Sequence, residues 1–236
     1  MSLPCLLHSG LMTRWGSAAM YIPSPPSILI SGGKTSSPDH TYSSSPNSAD
    51  LIRLPLSSNF DTAAPPYELL NTTSPAYAWH TLSPLSSTQA LSFGGDGGPS
   101  TPLPAGTDSS WFLSLPTDAS PSFAQQTSDW AAQPQRRILH SAVTGPDGTV
   151  YITGGQRNDG SGLILSDAYA FNPNTSTFTP LPALPRGTAH HISAFLANGT
   201  LVVIGGIYTS SGTGNPTLSE TSKLFTLDTK SASPAW

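Results

Sequence analysis

Four times along this 236-residue chain a short apolar run stops at a pair of glycines. The runs are Ile28-Leu29-Ile30-Ser31 before Gly32-Gly33, Ala90-Leu91-Ser92-Phe93 before Gly94-Gly95, Val150-Tyr151-Ile152-Thr153 before Gly154-Gly155, and Leu201-Val202-Val203-Ile204 before Gly205-Gly206. The surroundings keep step. His80, His140 and His191 each lie 14 residues before the first glycine of their pair, with Ala18 in that place in the first copy. Gly148 and Gly199 each lie 6 residues before theirs. A unit that recurs in register is a supersecondary module that cannot bury its apolar face alone, so the copies must stack.

The stretch Arg136 to Leu181 shows what one module is. It holds four short apolar segments: around Ala142-Val143, Val150 to Thr153, Ala168 to Phe171, and Phe178 to Leu181. Turn signals separate them. Asp147-Gly148, and Asn198-Gly199 in the next copy, predict two-residue type I′ hairpin turns, which need positive φ at both central residues. A glycine pair at a strand's end permits a sharp exit and a close backbone approach. Each module is therefore expected to be one small antiparallel sheet, and the chain to be all-β.

An apolar strand, Gly-Gly, a polar loop, an aromatic strand and a last Trp or Phe strand together resemble the Kelch repeat, a blade of a β-propeller. The opening Arg14-Trp15-Gly16 followed by Tyr21-Ile22-Pro23-Ser24-Pro25-Pro26-Ser27-Ile28-Leu29-Ile30 is similar to fungal extracellular proteins of the galactose oxidase/Kelch type. The resemblance spans the chain from about Arg14 and implies a Kelch-type β-propeller with about four four-stranded antiparallel blades. They are placed at about 14–70, 74–133, 136–181 and 185–236, after a disordered lead-in, 1–13. In the first blade Ser17–Ile22 should pair with Ser27–Ile30. In the second, a Pro/Ser/Gln-rich linker should lead to Trp130. Kelch propellers usually close with six or seven blades, so a partial, N-terminal portion of a propeller is expected, with a closed four-bladed ring as the alternative.

Composition narrows the function. Charged residues are 9% of the chain, against about 25% in a typical domain. Nine Lys and Arg with a net charge of −4 leave no basic patch, so nucleic acid is not an expected partner. The one cysteine, Cys5, lies outside every blade, so no intrachain disulfide forms. No apolar run is long enough to span a bilayer, and Met1 to Met12 lacks the basic and apolar regions of a signal peptide. Sequons at Asn71, Asn174 and Asn198 are candidate N-glycosylation sites.

The candidate site residues follow from the register. If the first strand of each blade lines a central channel, His80, His140 and His191 face one axis, where three imidazoles could hold a metal. The competing expectation is that each makes a repeat-specific hydrogen bond to a neighbouring blade. Arg14, Arg137 and Arg186 sit at blade entrances, where they could pair with carboxylates or backbone carbonyls. Trp79, Trp111, Trp130 and Trp236 are placed in strands, packing between blades. The galactose oxidase likeness implies copper held by tyrosines and histidines, with one tyrosine thioether-linked to cysteine. This chain departs from it: there is no Tyr-His pair, and Cys5 is misplaced. No G-x-S-x-G motif stands out.

We therefore expect a non-catalytic extracellular or cell-surface Kelch protein. It would have no catalytic, cofactor or metal residues and would bind a protein or carbohydrate through the polar loops 34–49, 96–108, 156–165 and 207–220. A membrane anchor is expected only if the chain continues beyond Trp236. The alternatives are a copper-radical oxidase and an intracellular Kelch adaptor.

Overall fold

The computed structural model describes residues 13–36, 41, 44–72, 74–98, 110–126, 130, 132–209, 214–220 and 223–236; Cys5, all but one residue of the lead-in, and parts of three of the four long loops lie outside them. The first sheet orders β1 (Ala18–Pro23), β2 (Pro26–Ser31), β3 (Leu51–Pro55) and β4 (Glu68–Leu70) side by side, all antiparallel. The second repeats this order with β5 (Ala78–Pro84), β6 (Gln89–Asp96), β7 (Ser110–Ser114) and β8 (Ser122–Gln125). The third uses β9 (Ser141–Thr144), β10 (Val150–Thr153), β11 (Ala168–Asn172) and β12 (Thr177–Leu181). The fourth has three strands among the described residues: β13 (Ile192–Phe195), β14 (Thr200–Ile204) and β15 (Leu224–Asp228). No helix occurs among the described residues, and the sheets stand as four successive blades of a β-propeller.

Three local expectations change. The fourth strand of the second blade lies within the Pro/Ser/Gln-rich stretch, at Ser122–Gln125, and Trp130 follows it outside any strand. The hairpin turns are not type I′. Gly148 N donates to Gly145 O at 3.0 Å and Gly199 N to Leu196 O at 2.9 Å, and of each Asp-Gly or Asn-Gly pair only the glycine has positive φ. These are β-turns followed by a left-handed glycine, in which Asp147 and Asn198 accept the backbone N–H two residues on. The third correction concerns the first copy. Ala18 pairs with Ser31, so Ser17, not Ala18, stands opposite Gly32 as His80 stands opposite Gly94. The turn Pro23 to Pro26 closes its hairpin with a different loop length, which moves the count by one.

Strand alternation sends every second side chain to each face of a blade, and the core lies in the seams where faces meet. Ala18, Met20, Ile22 and Leu29 of the first blade pack on Leu82, Ala90 and Leu113 of the second. Leu91 and Phe93 of the second meet Val150, Ile152, Phe171 and Phe178 of the third. Tyr151 of the third meets Leu201 and Leu227 of the fourth. Trp130 stacks on Phe171 at 5.1 Å and contacts Phe112 and Phe178, closing the second seam. Blades thus stabilise one another rather than themselves.

Candidate functional site

Each seam is organised around one atom pattern at the glycine pair. A Cβ on Gly32 would run into Tyr77 O and lie 3.0 Å from His80 Cε1; on Gly154 it would meet Thr188 O and, at 3.0 Å, His191 Cε1; on Gly94 it would meet Arg137 O and His140 Cε1. Only a residue without a side chain lets the following blade's histidine and the carbonyl three residues before it approach so closely. The second glycine completes the contact: Gly33 N donates to Tyr77 O and Gly155 N to Thr188 O, both at 2.8 Å.

The histidines are turned into these seams. His140 Nε2 meets Thr81 Oγ1 of the preceding blade at 2.9 Å, and His191 Nε2 meets Thr153 Oγ1 at 2.8 Å. All three rings are buried. Burial lowers His80 and His191 from 6.5 to about 4, and pushes His140 well below 6.5 with Arg137 and the other two histidines adding to the effect. The rings are neutral at physiological pH. Nδ1 is buried without a hydrogen-bond partner in all three. A bare lone pair costs less there than a bare N–H, which puts the proton on Nε2 and makes the threonine hydroxyls its acceptors in the second and third seams. No group of His, Cys, Asp and Glu suited to a metal occurs among the described residues.

The residue before each of these positions is left-handed in every blade: Gly16 at φ 66°, Trp79 at 56°, Leu139 at 58° and His190 at 56°. Trp79 N donates to Gly16 O at 2.7 Å, and His190 N to Leu139 O at 2.9 Å. The kink swings the backbone N–H toward the neighbouring blade instead of along its own strand. It also explains why His190 and His191 diverge, His190 exposed and His191 buried. This recurring kink escaped the sequence reading. Gly16, in register with three bulky residues, is its only trace.

The arginines divide. Arg14 and Arg137 occupy one structural position. Arg137, fully buried, holds Asp167 through both guanidinium ends and donates to Gly154 O at 3.0 Å. Arg14 holds Asp50 at 2.9 Å and donates to Gly32 O at 3.3 Å. Both fasten the first glycine to the start of the third strand. In the second blade Tyr77 stands there and accepts a hydrogen bond from Trp111 Nε1 at 3.1 Å. Arg186 lies two residues too early to do this; it sits 3.6 Å over the Tyr208 ring and donates to Ser219 Oγ.

Antiparallel order puts the four long loops at the glycine end of the blades and the tight hairpins at the other. Two-residue ribbons pin the loops: Arg14–Trp15 with Lys34–Thr35, Arg137–Ile138 with Gln156–Arg157, and Ile207–Tyr208 with Thr217–Leu218. Side chains tie them across blades. Asn47 Nδ2 donates to Ala76 O at 3.1 Å and also to Asp96 O, and Asn158 Nδ2 donates to Gly95 O at 3.3 Å. At the hairpin end, an open cleft of about 970 Å³ lies between the first two blades, lined by Ile22, Leu29, Leu69 and Leu115 with Arg53 and Asp118. Asn71 borders it; Asn71, Asn174 and Asn198 are all exposed. Trp130 and Trp236 lie outside strands yet still pack between blades, Trp236 Nε1 donating to Pro182 O at 2.7 Å.

The donor set that the galactose oxidase likeness implies does not fit here. Among the described residues the buried imidazoles point into successive seams instead of converging, and Tyr77 already accepts a hydrogen bond from Trp111. The family model of the Kelch motif matches residues 137–185. No curated protein matches the chain. The chain is similar to the solved structure of YjhT at 13% identity and a TM-score of 0.66, covering 95% of this chain and 69% of that one. That likeness carries the fold alone.

Proposed function

We propose that this Kelch-repeat β-propeller is a non-catalytic scaffold, extracellular or at the cell surface, that binds a protein partner through the loops at its glycine end. The observation that carries the reading is the anchoring of those loops. The described parts of the first, third and fourth loops are tied down by ribbons, and the first and third also by Asn47 and Asn158, before any partner arrives, and preorganisation removes part of the ordering cost of binding. The buried histidines and Arg137 serve the seams, which leaves the loops as the free polar surface. A protein is favoured over a glycan because Trp111, Trp130 and Trp236 pack between blades and offer no open ring for a sugar.

The test presents the immobilised chain to a library of cell-surface and secreted ectodomains and to a glycan array. The partner found should bind Arg157→Ala/Asp159→Ala at least about tenfold more weakly, because this exposed ion pair sits in the third loop. Binding that ignores this variant but falls with Asp118→Arg in the opposite cleft would sink the loop reading. Peroxide produced from sugars or alcohols by the copper-supplemented protein would sink the non-catalytic one.

A further inference from the structure

The second seam is filled by an indole that the first seam lacks. Phe112 of β7 pairs with Leu91, three residues before Gly94, and Trp130 lies on it with ring centres 5.4 Å apart. Trp130 also reaches Phe171 and Phe178 of the third blade. The chain that follows β8 supplies this ring. In the first blade the counterpart of Phe112 is Arg53 of β3, which pairs with Leu29, three residues before Gly32. The chain that follows β4, Asn71 to Ala76, holds no aromatic residue to lay over it. Arg53, Leu29, Leu70 and Asn71 line the open cleft of about 970 Å³ instead. Both walls of that cleft belong to four-stranded blades that pack on each other, so it is internal to the array and owes nothing to either of its ends.

The lining has a definite chemistry. Ile22, Leu29 and Leu70 of the first blade make an apolar floor and Leu115 of the second faces it. The connection from β7 to β8 is longer than that from β11 to β12, and its residues Leu115 to Pro121 form the second wall. Glu68 Oε2 accepts Arg53 Nε at 2.7 Å and lies 2.6 Å from Nη2. Glu68 thus holds the guanidinium by its edge and neutralises it, and a planar guanidinium offers its face to an aromatic ring. Asp118, exposed on the second wall, forms no ion pair among the described residues. With Arg53 matched by Glu68, the uncompensated charge lining the cleft is negative.

We propose that this cleft binds a small flat aromatic ring bearing an amine, of the indolylalkylamine or phenylalkylamine class. The ring takes the place over Arg53 that Trp130 takes over Phe112, and the floor of Ile22, Leu29 and Leu70 covers its remaining apolar surface. The ammonium goes to Asp118. The volume is that of a small-molecule site. It lies at the hairpin end, away from the loops, so its occupancy is independent of what those loops bind.

The experiment is isothermal titration calorimetry on the whole chain with three probes that share one ring: tryptamine (cationic), indole (neutral) and indole-3-acetate (anionic). Affinity should fall in that order, with tryptamine about two- to fivefold tighter than indole, the range of an exposed ion pair. Asp118→Asn should bring tryptamine down to the level of indole and leave indole unchanged. Asn71→Trp puts an indole on the chain beside the cleft. Asn71 is exposed, so circular dichroism should stay as in the wild type, and all three probes should bind at least about tenfold more weakly. The proposal is overturned if no probe binds at millimolar concentration, or if indole-3-acetate binds as tightly as tryptamine. It is equally overturned if Asp118→Asn preserves the advantage of tryptamine, or if folded Asn71→Trp binds the probes like the wild type.

Discussion

Acid should unfold this protein at a pH where most carboxylates are still charged, and the three seam histidines set the size of the effect. In the folded chain His80 and His191 do not take up a proton until about pH 4, against 6.5 for a free imidazole, because the ring is buried; His140 is likewise held well below 6.5 by burial and by Arg137. The unfolded chain binds all three protons as pH falls through 6.5. Stability from these groups is therefore complete above that value and lost as pH drops toward 4. One pKa unit corresponds to about 1.4 kcal/mol. His80 and His191 thus remove about 3 kcal/mol each over the window, and His140 adds in the same direction. Against a typical total of about 5–15 kcal/mol, that suffices to unfold the chain near pH 5. Urea melts followed by tryptophan fluorescence at half-unit steps from pH 7.5 to 4.5 should give a slope near 4 kcal/mol per pH unit below 5.5. His191→Gln, which cannot titrate, should remove about a third of that slope. A stability that stays level from pH 7 to 4.5, or a His191→Gln slope equal to the wild type's, would refute the reasoning.

Two further outcomes follow from the seams. Gly154→Ala should cost well over the roughly 1–2 kcal/mol of a left-handed alanine, since its Cβ meets Thr188 O and His191 Cε1; Gly205→Ala, also at positive φ but with nothing within 4 Å of its Cβ among the described residues, should show only the backbone part in a thermal melt. Arg137→Leu should destabilise by about 3 kcal/mol, because it strips Gly154 O and Asp167 of their donor; Arg137→Lys should recover only part, since an ammonium cannot reproduce the bidentate fork. If the lysine variant melts with the wild type, the fork is not what holds the strand.

The repeat was legible because period and composition are local properties. Glycine pairs, apolar runs and turn residues recur at fixed offsets, and an apolar face that recurs has to be buried against its copy. That determined the all-β class, the number of blades and the hairpin pairing of β5 with β6, β9 with β10 and β13 with β14. Local counting failed where a loop changed length: in the first blade it named Ala18 where pairing selects Ser17. It also could not assign partners. Whether His140 faces a channel or Thr81 depends on which blade lies beside it, some 59 residues away in the chain. Arg137 and Arg186 read alike in sequence, yet one grips Asp167 and the other lies over Tyr208; Arg137 stands three residues before its seam histidine and Arg186 five, so Thr188 takes the position in the fourth blade that Arg137 holds in the third. The sequence by itself determined the modules and their number. The tertiary structure alone decided what each polar side chain does, because burial and hydrogen-bond partners exist only once one blade is laid against the next.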